Sequence, residues 1–186
     1  GSAAFLGGDE HGGQAHGGDL MTCAECVDFR AWCLLCRALD VTRYVEIGTF
    51  LGDSARKAAK LIECSVVTID PTNGENFGRW HDGPSEADIV YLTGRSQDPA
   101  ILNAALEALG GFVDAVFMDG DHSVPGLTAD FRLWWPRATK LMGIHDILNP
   151  EVPGPQAWWE NGPDPLPVDR LRLWGPGGQG IGVLFK

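Results

Sequence analysis

From Arg43 onward the chain repeats one theme: a short apolar run, a turn bearing Gly or Asp, then an amphipathic stretch. The runs are RYVEIG (43–48), SVVTID (65–70), DIVYLTG (88–94), DAVFMD (114–119) and KLMGIHD (140–146). Runs of this length bounded by turn residues read as strands, and their alternation with helical stretches predicts a parallel sheet wrapped by helices. At 186 residues, 44% of them apolar, the chain can bury one substantial core but not two. A single domain over 21–186 is expected, preceded by a Gly-rich flexible leader over 1–20 that carries His11 and His16.

The predicted helices have recognisable starts. Asp53 and Ser54 are the expected caps of the first, with apolar residues at 55, 58, 59 and 62. Asp98 caps a second with Pro99 at its first position, and Ser123 with Pro125 opens a third whose apolar face is Leu127, Phe131, Trp134 and Trp135. The stretch 72–88 reads as a long loop, and the Pro-rich segment after the fifth strand carries at most a short helix around Trp158. The chain closes with VDRLRLW and GIGVLFK, joined by GPGGQG, a connection so short that the two runs pair antiparallel. The fold class is therefore α/β: a Rossmann-like, doubly wound sheet of five parallel strands plus a C-terminal antiparallel hairpin.

Charge removes several functions. Twenty-five acidic residues against fourteen basic ones give a net charge of −11, and the cations are scattered, which disfavours nucleic-acid binding. No apolar run approaches the ~20 residues of a membrane span. The first 29 residues hold no Lys or Arg, so neither a secretory nor a transit signal is read, and the expected location is cytoplasmic. Cys23, Cys26, Cys33 and Cys36 form two CxxC pairs only six residues apart, with Cys64 left over. The intervening VDFRAW is helical in pattern, so the cysteines are read as small apolar residues on a helix face; a zinc-binding N-terminal module is the alternative.

Polar residues gather at the strand ends, where ligands bind in open α/β sheets. Gly48 and Gly52 bracket the first turn, Asp70 ends the second strand and Gly94, Arg95, Ser96 and Gln97 follow the third. Asp119 to His122 follow the fourth, and His145 with Asp146 ends the fifth. The first turn, EIGTFLG, lacks the G-x-G-x-x-G of a dinucleotide fold, which disfavours a nicotinamide-dependent enzyme. Glu46 is expected to aim an anion at the site and so to favour a cationic ligand, while Asp70 is placed to accept two ribose hydroxyls.

These residues resemble the class I S-adenosylmethionine-dependent methyltransferases, from about Arg43 to the C-terminus. EIGTFLGDSA looks like the family's first motif. The resemblance implies that Gly48 and Gly52 let the backbone approach the methionine portion of S-adenosylmethionine, that Ser54 contacts its carboxylate, and that Glu46, Thr49 and Phe50 belong to the same cofactor-binding set. Asp70 would hold the ribose, Ser96 and Gln97 would border the adenine, and Gly94 and Asp119 would complete the cofactor set. GRSQD and DGDHS are similar to the small cation-dependent O-methyltransferases of the catechol type and a D-G-D-H-S branch related to them. By that likeness Asp119, His145 and Asp146 hold Mg2+ or another divalent cation.

The implied reaction is O-methylation of a small-molecule hydroxyl, with Asp119 and His122 catalytic. His122 stands either as the base or as a cofactor contact, and Asp121 is read as a turn former. A protein of the same fold that binds the cofactor without turnover is the rival reading. Trp80, Trp158 and Trp159 are candidate walls for a flat acceptor, and a lid is expected from 72–88, from the Trp158–Trp159 region or from a second subunit in a homodimer.

Overall fold

The computed structural model describes residues 27–72, 88–162 and 169–186. In chain order the elements are α1 (Val27–Ala38), β1 (Arg43–Ile47), α2 (Asp53–Ala58), β2 (Ser65–Asp70), β3 (Ile89–Thr93), α3 (Pro99–Ala108), β4 (Val113–Met118), α4 (Val124–Trp134), β5 (Ala138–Ile144), α5 (Pro153–Asn161), β6 (Arg170–Leu173) and β7 (Ile181–Phe185). These strands form one sheet in the order β3-β2-β1-β4-β5-β7-β6. β1 to β5 are parallel, β7 runs antiparallel to β5, and β6 pairs antiparallel with β7. The expected five parallel strands and terminal hairpin are both present. Strand order reverses between β1 and β4, which places the ligand crevice beyond their carboxyl ends.

The period of two along each strand divides the core into two layers. Val45, Ile47, Val67, Ile69, Val116 and Met118 face α3, α4 and α5, joining Leu102, Leu127 and Trp158. Tyr44, Val66, Ala115 and Phe117 point the other way, toward Phe29 and Trp32 of α1 and Ala55 and Ala58 of α2. Both layers are apolar because helices cover both faces of the sheet.

Asp98 and Ser123 cap their helices as expected, accepting hydrogen bonds from the Ala100 and Gly126 amides at 2.8 and 3.1 Å. The start of α2 differs. Gly52 is its N-cap, at φ 69°, without a side-chain cap; Asp53 already lies in the helix and pairs with Arg56 at 2.7 Å, and Ser54 is buried. The chain enters this helix from a left-handed turn, a conformation open to Gly at little cost. Beyond Ala58 the helix widens into one π turn, Ala59–Glu63, that keeps Ile62 buried.

Trp158 and Trp159 do not line a pocket. The Pro-rich segment forms a nine-residue helix, α5, which turns both indoles into the core. Trp158 meets the Phe131 ring at 5.3 Å and donates its indole N–H to Thr128 Oγ1 at 3.1 Å, while Trp159 covers Gly182. They are therefore excluded as an acceptor wall or lid. Trp80, nearly all of the 72–88 loop, the 1–20 leader, Cys23 and Cys26 lie outside the described residues. Cys33 and Cys36 are buried on α1 and Cys64 is buried after α2. Among the described residues no helix is long and apolar enough to cross a membrane.

Trp158→Ala is expected to cost about 3–5 kcal/mol of stability in urea unfolding, the usual loss for truncating a buried aromatic side chain. A loss under 1 kcal/mol would return Trp158 to the surface of a pocket.

Candidate functional site

A cleft of about 750 Å³ opens over the carboxyl ends of the central strands. Gly48 and Phe50 line it after β1, Asp70 and Pro71 at and beyond the end of β2, Arg95, Ser96 and Gln97 after β3, and Asp119 to His122 after β4. His145, Asp146 and Asn149 follow β5, and Gly177 with Gln179 reaches in from the β6–β7 turn. The predicted Glu46, Thr49, Gly52, Ser54 and Gly94 are not on this wall.

The turn after β1 is held by Asp70. Its Oδ2 accepts the amides of Thr49 and Phe50 at 3.1 and 3.0 Å, and its Oδ1 accepts the Thr72 amide and hydroxyl. Phe50 is thereby kept at φ 47°, unusual for a bulky residue, with its ring largely exposed at the cleft. Gly48, at φ 96°, lies so close to the end of β4 that an added Cβ would stand 2.2 Å from the Asp119 carbonyl oxygen. Gly94 has a packing role: a Cβ there would overlap the Ile101 side chain at 2.5 Å.

Glu46 departs from its reading as an anion facing the ligand. By strand alternation it lies on the α1–α2 side, is fully buried, and accepts from the Thr68 hydroxyl, itself 2.7 Å from that of Thr49. Burial, and secondarily the Asp119 charge, push its carboxyl up to about 8, so it is mainly protonated at neutral pH.

Asp119, His122, His145 and Asp146 converge. Asp119 Oδ1 lies 3.0 Å from His145 Nδ1 and 3.3 Å from His122 Nε2, which stands 3.4 Å from Asp146 Oδ2. Burial would raise the Asp119 carboxyl, but the two imidazoles outweigh it and hold the group at about 2. The hydrogen bond to Asp119 in turn raises the His122 pKa above its usual 6.5, against the opposing effect of burial. Asp146 sits at φ 60° and accepts the Asn149 amide at 3.1 Å. Asp119, His145 and Asp146 each offer one ligand atom, all within 4.8 Å of one another. Asp121 forms a turn, accepting the Ser123 amide at 2.9 Å, and also borders the cleft.

Four residues were missed in the sequence. Asn149, Gly177 and Gln179 sit in turns whose composition gave no sign of a ligand. Asp130 of α4 is buried and receives both the Ser96 hydroxyl, at 2.6 Å, and the Gln97 side-chain amide, at 2.7 Å. A signal did exist, because Asp130 lies between Leu127 and Phe131–Trp134 on the buried stripe, where a lone carboxylate needs a polar partner.

The family model described as "Methyltransferase domain" matches residues 45–147. No curated protein sequence matches the chain. Among solved structures, the O-methyltransferase TomG from Streptomyces achromogenes, involved in tomaymycin synthesis and in complex with SAM, is 20% identical. Its TM-score is 0.63 over 85% of this chain and 79% of that one. The O-methyltransferase from Bacillus cereus in complex with SAH is 18% identical, with a TM-score of 0.59 over 85% and 80%. MycE, from the mycinamycin biosynthetic pathway in complex with Mg, SAH and mycinamycin VI, is 16% identical, with a TM-score of 0.56 over 83% of this chain and 48% of that one. At these identities the likeness carries the fold.

Two outcomes follow from the geometry. Gly110 shares a positive φ of 75° but has nothing within 4 Å of an added Cβ, so Gly110→Ala should cost about 1 kcal/mol. Gly48→Ala should cost distinctly more in the same urea titration, because backbone blocks its Cβ; equal costs would mean that β1 and β4 separate easily. For Glu46, a folded pKa of about 8 against an ordinary 4.5 means that stability falls as pH rises through this window. Between pH 5 and pH 8, wild type should lose a few kcal/mol (order of magnitude) relative to Glu46→Gln, and parallel stability curves would refute the shift.

Proposed function

The chain belongs to the methyltransferase domain family, as an S-adenosylmethionine-dependent methyltransferase, and from that premise we propose that it methylates a hydroxyl of a small molecule with the help of a divalent cation. The observation that carries the proposal is the convergence of Asp119, His145 and Asp146 on the wall that also holds Asp70, Ser96 and Gln97. Two carboxylates and one imidazole fit a divalent ion that accepts mixed oxygen and nitrogen ligands. Magnesium matches the carboxylates, and manganese tolerates the histidine better. TomG in complex with SAM and MycE in complex with Mg and SAH support the same reading.

S-adenosylmethionine, when bound, supplies an electrophilic methyl on a sulfonium. A divalent cation, when bound, supplies a Lewis acid that lowers the pKa of the acceptor hydroxyl. The chain's own residues do the rest. Gly48 lets the turn after β1 close against the end of β4, Asp70 fixes the turn that carries Phe50, and Ser96 with Gln97 borders the far end of the cleft. Asp119 and Asp146 bring negative charge to the rim. His122 in its neutral form takes the hydroxyl proton, an imidazole being suited to this near neutral pH, and the Asp119 carboxylate beside it favours the protonated ring that results.

The proposal includes a single methyltransferase domain over 21–186, a cytoplasmic location and a homodimer as an added source of lid. Buried free thiols at Cys36 and Cys64 are consistent with a reducing compartment.

The test is methyl transfer to phenols and sugars with added magnesium or manganese, or with chelator. Transfer should require the ion. Asp70→Ala should weaken binding of S-adenosylhomocysteine at least about tenfold, the scale of losing one or two hydrogen bonds to a charged group. Asp146→Ala should leave that affinity within about twofold and lower transfer by about a hundredfold. Full activity of Asp146→Ala with its metal response unchanged would refute the cation assignment, and tight cofactor binding with no transfer to any acceptor would favour a binding protein.

A further inference from the structure

Asp130 touches neither the rim cluster nor the cleft, yet two side chains of the cleft wall converge on one of its oxygens. Ser96 Oγ lies 2.6 Å and Gln97 Nε2 2.7 Å from Asp130 Oδ1. The Ser96 carbonyl oxygen in turn accepts the Trp134 indole N–H at 3.2 Å, so α4 holds this loop by both main chain and side chain. Asp130 is 1% exposed, and burial raises its pKa to about 6, against the lowering by its two donors. At pH 7.5 and above it is an ionised carboxylate that only accepts hydrogen bonds.

A carboxylate there removes the ambiguity of the Gln97 amide. The NH2 end is bound to Asp130, so the end left for the cleft is the carbonyl oxygen, an acceptor. Resting on the cofactor reading above, we propose that Asp130 is a positioning residue: by holding the Gln97 amide in one orientation it makes this part of the cleft select a 6-amino purine and reject a 6-oxo purine. The amino group of adenine donates to the Gln97 carbonyl oxygen. The 6-oxo group of hypoxanthine would set two acceptors face to face, and turning the amide over would cost its bond to Asp130. Leaving polar groups unpaired in a binding site discriminates more strongly than a difference of shape.

The test is calorimetric titration of the full chain at pH 7.5 with S-adenosylhomocysteine and its deaminated counterpart, S-inosylhomocysteine. Wild type should bind the adenine compound at least about tenfold more tightly, the scale of one mismatched hydrogen bond. Asp130→Asn is nearly isosteric and lets the Gln97 amide sit either way, so the preference should fall below about threefold, mainly by gain of affinity for the inosine compound. Gln97→Met, on the cleft wall, should lose the preference as well and keeps the test decisive where Asp130→Asn fails to fold. Retention of the wild-type preference by Asp130→Asn, or by Gln97→Met, would overturn the proposal. Wild type binding neither nucleoside would overturn the cofactor reading and this inference with it; tight binding of both without preference would overturn the inference alone.

Discussion

The site depends on one close approach, that of the Gly48 backbone to the Asp119 carbonyl. β1 and β4 are neighbours at the point where strand order reverses, and the Asp119 amide extends their ladder by donating to Ile47 at 2.8 Å. A side chain at residue 48 would be driven into the β4 end at 2.2 Å. Without one, the turn after β1 and the acidic end of β4 share a single wall. The turn that Asp70 holds and the cluster around Asp119 are then two sides of the same cleft.

Within that wall two carboxyl groups reach opposite states. Glu46 is fully buried and Asp119 is half-buried beside it, and the Asp119 charge adds to the cost of ionising Glu46. Asp119 has His122 and His145 against it and ionises readily, whereas Glu46 has chiefly the hydroxyls of Thr68 and Ser54 for support. The negative charge is therefore kept at the rim, where a cation has access to it. In a chain of net charge −11, the arrangement of neighbours rather than the number of acids decides where charge stands.

The strand ends were legible because two simple periodicities and a few punctuating residues fix them. Asp70 and Asp119 follow an apolar run directly and Asp146 follows one after His145, so their place at the cleft could be read without contacts. Glu46 could not be read in this way: it lies inside a strand, and which face it takes depends on where the neighbouring helices pack. Trp158 and Trp159 misled for a related reason. Their segment is rich in Pro, but Pro153 and Pro155 fall in the first turn of α5, where proline is compatible with a helix. Asp130 was marked by its place on the buried stripe of α4, but its partners were hidden by distance, more than thirty residues away in sequence.

The least legible wall is the one beside the cluster, because it is assembled from three remote segments. Gly177 and Gln179 belong to the β6–β7 turn, yet that turn is fixed from α1, where the buried Asp28 accepts the Gly180 amide at 2.7 Å. Gly178 and Gly175 carry no side chain where Asp28 and Val27 press against them, at 2.4 and 2.9 Å from a would-be Cβ. The segment after β5 closes the remaining side, with Ile147 and Leu148 donating to Gly180 and Gln179. A hairpin turn read alone is only a connection; here its shape is imposed by a helix more than a hundred residues earlier. The part of the cleft lined by Gly177 and Gln179 is thus set by tertiary packing around Asp28, whereas the part nearest Asp70 is set by local turn geometry that the sequence displays openly.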